Sequence, residues 1–207
     1  MKSVRIISIL VFLLFVVGSA SAETFYLTNT SEKINGEDIE GIKVKVEFNG
    51  THIIITDLST SVDGQTADIK GIKLYLQDQY IDSVTDPGHT TNIWTHTDNG
   101  KKNFAGFGEF YTSCTKSTDS TKSRGPIVIA LNPSFTQGQL PSNALGNSVI
   151  VHLGFGDNPL ITVGEGEKVP DSSWIGGYTE IPEFPSIAFP VAAVLGLMFV
   201  MGNRRKE

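Results

Sequence analysis

A single cysteine, Cys114, stands among 207 residues, so no intrachain disulfide is available and a folded domain must be held by its core alone. Histidine is also scarce, with four in the chain. Basic residues are outnumbered, 16 Lys and Arg against 22 Asp and Glu. Without residues 1–22 and the tail from Ser186, which hold five basic and one acidic residue, 11 face 21 and the net charge is −10. A surface of that sign repels nucleic acid and favours solubility. Four catalytic signatures are missing: a Gly-x-Ser-x-Gly elbow, a His-Glu-x-x-His helix, a Walker glycine loop and a dinucleotide fingerprint. The expectation is therefore a protein that is not an enzyme. Paired carboxylates for glycoside hydrolysis follow no linear spacing rule, and they keep a glycan-active reading open as the alternative.

Long hydrophobic runs occur in two places, one at each end. Lys2 and Arg5 precede a 12-residue apolar stretch, Ile6 to Val17, in which Ser8 is the one polar residue, and Gly18-Ser19-Ala20-Ser21-Ala22 follows. A basic start, a short apolar region and an Ala-x-Ala site describe a secretory signal peptide over 1–22. Cleavage is expected after Ala22, with Ala20 as the other small residue of the site and Glu23 as the new N-terminus. Twelve residues are too few to span a bilayer core, which needs about 20 in a helix. At the other end, Phe184 to Asn203 gives 20 residues without a charge, followed by Arg204, Arg205 and Lys206. That stretch is long enough to cross, and the basic cluster favours the cytoplasmic side as a stop-transfer signal. The expected organisation is a signal peptide at 1–22, an exterior domain at 23–178 and a linker at 179–185. A transmembrane helix at 186–203 and a cytoplasmic tail at 204–207 complete it.

Pro182-Glu183-Phe184, the apolar segment directly after it and the terminal Arg204-Arg205-Lys206 together resemble the PEF-CTERM sorting signal of archaeal surface proteins. The resemblance covers 181–207 and assigns nothing to the exterior domain. It implies that an archaeosortase, a membrane-embedded cysteine transpeptidase, cuts near the motif and passes the new C-terminus to a lipid. A GPI signal has the same logic, in which a hydrophobic tail is exchanged for an anchor. The resemblance thus implies an exported protein at the cell surface, on the outer face of the cytoplasmic membrane. Its partners are a transpeptidase, the membrane or a lipid anchor, and an unidentified surface ligand.

The exterior domain reads as all-β. No sustained 3.6-residue apolar rhythm occurs in it. In "GIKVKVEFNGTHIIITDL" two β-rich runs flank Asn49-Gly50, which predicts a two-residue type I′ hairpin pairing Phe48 with Thr51, Val46 with Ile53 and Val44 with Ile55. Further strands are expected at "TFYLTN", "IKLYLQ", "FAGFGEF", "PIVIALN", "NSVIVHLGF" and "LITVG", and a last one in "VPDSSWIGGYTE". About eight short strands between turn signals point to an antiparallel β-sandwich, jelly-roll or immunoglobulin-like. A short helical turn is expected in "PSNALGN", capped by Ser142 or Asn143.

Candidate sites are sparse. Asn49-Gly50-Thr51 and Asn29-Thr30-Ser31 are glycosylation sequons, with Asn49 at an accessible hairpin tip. His89 and His96, near Asp86 and Asp98, carry zinc-compatible groups, but six intervening residues in loop-like sequence match no established ligand spacing, and no metal site is expected. Asp57, Asp63 and Asp68 offer hard oxygens that suit calcium, yet the same residues form turns and the EF-hand pattern is absent. No cofactor is expected, and calcium is the one ion these residues leave open. Cys114 lies in Thr112 to Ser123, where eight of twelve residues are Ser or Thr, and this reads as an exposed loop with a free thiol. Trp94, Tyr80 and Tyr111 either stack on a sugar ring or belong to the core.

Overall fold

The computed structural model describes residues 22–34, 36–60, 67–117, 121–155, 162–163, 167–168 and 171–180. Ala20, the Pro182-Glu183-Phe184 motif, the apolar span and the Arg204-Arg205-Lys206 cluster lie outside the described residues, as does Asp63. The strands are β1 (Glu23–Thr30), β2 (Lys33–Ile34), β3 (Glu37–Asp38), β4 (Val44–Phe48), β5 (His52–Asp57), β6 (Asp68–Leu74) and β7 (Ile81–Thr85). They continue with β8 (Trp94–Asn103), β9 (Glu109–Lys116), β10 (Ile127–Leu131), β11 (Val149–Gly154), β12 (Thr162–Val163), β13 (Glu167–Lys168) and β14 (Ser172–Glu180). The one helical element among the described residues is a 3-10 turn, Asp78–Tyr80. No described helix is long and apolar enough to cross a membrane.

Ten strands form one sheet in the order β7-β10-β5-β4-β1-β14-β11-β6-β9-β8, and its ladders are all antiparallel. The two end strands, β7 and β8, lie close together without a ladder between them, so the sheet is nearly closed. The all-β antiparallel expectation holds. The finer assignment to a jelly-roll or immunoglobulin-like sandwich does not follow from this hydrogen bonding, which runs continuously through ten strands.

Alternation explains which side is inside. Val44, Val46 and Phe48 are fully buried while Lys45 and Glu47 between them are not, the pattern of a sheet with one face on a core. The hairpin itself corrects the sequence reading. Phe48 pairs with Ile53, Val46 with Ile55 and Val44 with Asp57, a slip of two residues from the expected register. The cause is the Asn49 side chain, whose Oδ1 accepts from Thr51 N at 3.1 Å, Thr51 Oγ1 at 3.0 Å and His52 N at 2.8 Å. This Asx-type arrangement holds a longer connection closed by Asn49 N donating to His52 O, and only Gly50 takes a positive φ. A slip of two preserves the side-chain parity, so the inward face is the expected one.

Positive φ at both central positions, the mark of a type I′ turn, occurs instead at Ala105 (48°) and Gly106 (78°), where Phe107 N donates to Phe104 O at 2.9 Å. In "FAGFGEF" the residues Phe104 to Gly108 are thus the tip of the β8–β9 hairpin, and only Glu109 and Phe110 are strand, the start of β9. Two further segments read as loops are strands. "TDPGHTTNIWTHTDNG" contains most of β8, and Cys114 sits on β9 with no exposed surface, paired with Ile72 and His96. Ser and Thr are tolerated there because β9 is bonded on both edges and their hydroxyls find partners, Thr112 Oγ1 donating to Leu76 O at 2.6 Å and Ser113 Oγ accepting from Lys73 Nζ at 2.6 Å. "PSNALGN" forms a turn without a helix: Asn143 Oδ1 accepts from Leu145 N and Asn147 N, and Gly146 N donates to Asn143 O.

Strand directions define two poles. Phe25 pairs with Glu180 and Glu23 with Phe48, so the start of β1, the end of β14 and the Asn49 hairpin tip share one end. Propagating the ladders places the 3-10 turn and the β8–β9 tip at that same pole. The ends of β5 and β7 and the start of β6 are at the opposite one.

Candidate functional site

Two buried aspartates anchor the pole opposite the termini. Asp57, whose side chain has no exposed surface, accepts from Arg124 Nε at 2.7 Å and from Ser59 N at 2.9 Å, while Arg124 Nη2 reaches Ser59 O. Asp68 is paired with Lys116 and accepts from Ser123 N at 2.8 Å. Each carboxylate thus faces its own cation and pins the connection before β10 to the strands beside it. Asp86 accepts from Asn92 Nδ2 at 2.8 Å, and Asn92 Oδ1 accepts from Thr121 N at 2.9 Å.

The zinc-compatible residues are not brought together. His89 approaches Asp86 at 3.4 Å, whereas His96 on β8 contacts Asp78 at 2.8 Å. Asp98 accepts from Gly100 N at 2.8 Å. No group of three metal-ligating side chains occurs among the described residues.

Of the sequons, Asn49 is exposed at its hairpin tip, with Oδ1 turned toward its own turn. Asn29, on β1, lies against Gly177: a Cβ there would stand 2.2 Å from Asn29 Nδ2. Ala22 is exposed and Glu23 opens β1, where its carboxylate accepts from Leu140 N at 3.3 Å.

The outer face of β6, β11 and β14 carries an aromatic group that the sequence did not single out. His152 stacks on Trp174 with ring centroids 4.7 Å apart and planes 14° from parallel. Phe104 from the β8–β9 tip lies 6.4 Å from Trp174, and Lys73 Nζ sits 4.2 Å from the Phe104 ring centre while donating to Ser113 Oγ at 2.6 Å. Glycines make room for this layer. A Cβ on Gly176 would stand 2.5 Å from the Phe107 ring, so only the bare backbone lets the tip lie down on the sheet. Asn143 and Asn147 both donate to Phe107 O at 2.9 Å and fix it there. Burial, together with Lys70 and Lys73, holds His152 below its ordinary value. Burial and then the nearby Asp78 push the Cys114 thiol up to about 12.

At the pole of the termini, a polar hollow of 360 Å³ opens between the 3-10 turn and the bulged part of β8. Gln77, Asp78 and Gln79 line it from the turn and the residue before it, Asp98, Gly100 and Lys101 from β8, and Tyr111 from β9. The ladder shifts between Asp98 and Lys102, and Gly100 takes φ 59°, so the bulge bends β8 away and creates the space. Tyr111 packs against Tyr75 with centroids 5.0 Å apart, and its hydrogen bond with Tyr75, which favours the protonated phenol, raises its pKa. Lys101 is held by Glu109 Oε2 at 2.6 Å, which raises its pKa. Of the three aromatics marked in the sequence, only Tyr111 lines this hollow. Trp94 is buried in the core, and Tyr80 packs on Phe135 with centroids 5.7 Å apart.

No curated protein and no solved structure matches the chain. Residues 181–205, which begin directly after the last residue of β14, match the PEF-CTERM archaeal protein sorting domain, the mark of an exported protein sorted by an archaeosortase.

Proposed function

We propose that this chain is an exported surface protein, processed by an archaeosortase and held on the outer face of the cytoplasmic membrane. In this reading its antiparallel β domain is a non-catalytic module for surface structure, adhesion or interaction. One observation carries the proposal: the sorting domain begins at Ile181, directly after a central strand whose end is hydrogen-bonded beside the start of β1. The expected mature N-terminus and the tether therefore leave the domain at one point. The sheet hangs from its middle, and the opposite pole is the one turned outward. The acids that suggested chemistry in the sequence, Asp57 and Asp68, are committed to pinning loops at that outer pole.

Asn49 at the tethered pole is the expected glycosylation site in this reading. Its Oδ1 is occupied by its own turn, which leaves the amide nitrogen as the outward group. The test is mass spectrometry of the chain from native membranes. A new C-terminus near Pro182-Glu183-Phe184 and loss of the Arg204-Arg205-Lys206 peptide are expected. Full-length C-terminal peptides on most copies would refute processing, and the same digest reads Asn49 occupancy. The hollow beside Tyr111 favours a second reading, a surface glycan-binding module, over a hydrolase. It is open to water, and Asp78 is already engaged by His96.

A further inference from the structure

We infer that the hollow between the 3-10 turn and the β8 bulge binds a neutral polyhydroxylated ligand, a saccharide of one or two rings; this rests on the glycan-binding reading above. The chemistry of the lining residues selects the ligand. Asp78 and Asp98 repel an anion, and the Lys101 ammonium that lines the same hollow disfavours a metal ion. An apolar ligand finds too few partners, since most of the wall groups are charged or amide. What remains is a ligand that donates to carboxylates and accepts from an amide or ammonium within the same few ångströms. Vicinal hydroxyls do both. Tyr111 supplies a ring face of the kind on which a sugar ring packs.

The site is built and is not merely a gap between side chains. Gln79 Nε2 donates to Gln77 Oε1 at 3.0 Å, His96 fixes Asp78, Glu109 fixes Lys101 and Tyr75 fixes Tyr111. Each wall group is thus oriented before any ligand arrives, which lowers the ordering cost of binding. A volume of 360 Å³ falls at the small end of the ligand-pocket range, ~300–1,000 Å³. The hollow shares its pole with the end of β14, so the saccharide comes from either a free glycan or a glycolipid headgroup at the membrane surface.

The test uses the full chain in detergent, with maltotriose and mannotriose as soluble probes. The lipid probes are phosphatidylglycerol vesicles with and without diglucosyl diacylglycerol. Saturable shifts of the Gly100 and Lys101 backbone amide signals with a trisaccharide are expected, weakened ~10-fold or more by Asp98→Asn and by Tyr111→Ala, whose melting is checked separately. Binding only to glycolipid vesicles, lost in the same variants, supports the inference with the headgroup as source. Equal binding to vesicles without glycolipid, no saturable response to any probe, or unaltered affinity in both variants would overturn it. The C-terminal processing assay reads independently, so failure here leaves the surface-anchoring proposal standing.

Discussion

Replacing Arg124 by Met removes one charge and keeps most of the side-chain stem, which isolates the buried ion pair with Asp57. The Asp57 side chain has no exposed surface, whereas that of Arg124 is 41% exposed. Removing one partner of a fully buried pair costs ~3–5 kcal/mol, because the remaining charge is left in a poor solvent. Here the guanidinium is partly in water, and Asp57 keeps the hydrogen bonds from Ser59 N and Ser59 Oγ, so about 2 kcal/mol is the discounted figure. For a domain of this size each kcal/mol moves the melting temperature by ~2–4 °C, which gives a drop of about 4–8 °C. Differential scanning calorimetry of Arg124→Met is the assay, with Lys101→Met as comparator. The Lys101–Glu109 pair is equally short at 2.6 Å but roughly half exposed on both sides, and no measurable shift is expected from it. Asp57→Asn combined with Arg124→Met should melt above Arg124→Met alone, since the stranded charge is gone. Equal melting of Arg124→Met and Lys101→Met would refute the claim that burial, and not distance, sets the worth of these pairs.

Gly176→Ala places a Cβ 2.5 Å from the Phe107 ring and is expected to cost about 1–3 kcal/mol, read by urea denaturation. Adding Phe107→Ala should cost less than the two single losses summed, because the clash then disappears. Native Cys114, buried and with its thiol raised to about 12, is expected to react with a disulfide reagent no faster than the domain unfolds; rapid labelling would return it to an exposed loop. His152 has a folded-state value below its ordinary 6.5, so the folded protein binds fewer protons than the unfolded chain in that interval. Its contribution is complete above pH 6.5 and is lost as pH falls through the lowered value. Thermal melts of His152→Gln across that window should be flatter than those of the parent.

Much of the fold was legible because two-residue alternation is local. The runs around Val44 to Phe48 and His52 to Asp57 could face the core in only one parity, and that parity survived the slip in register. The register itself was not legible. It depended on Asn49 turning its side chain into the loop, against the type I′ preference that Asn-Gly expresses elsewhere. β8 and β9 were hidden for a different reason. "THTDNGKKN" and "TSCT" look like loop because one strand is exposed on most of its length and the other buries Thr112, Ser113 and Cys114 between two neighbours. Of the hollow, the sequence offered Tyr111 and, in a different role, Asp98, since Asp78, Asp98 and Lys101 meet through a bulge that no spacing rule encodes.

The sequence by itself determined where this protein is sent. The sorting domain at 181–205 is a linear feature, read by machinery that meets the chain as a thread. Composition likewise determined an acidic, disulfide-free β domain. Only the tertiary structure decided that the domain begins and ends at one point, because that rests on the long-range pairing of β1 with β14, which sets Phe25 beside Glu180. It also decided that the aspartates neutralise cations, that the lone thiol is sealed in a strand, and that an open polar hollow shares the tethered pole. Those outcomes depend on long-range pairing and on the low dielectric of a packed interior, and neither is written in the order of neighbouring residues.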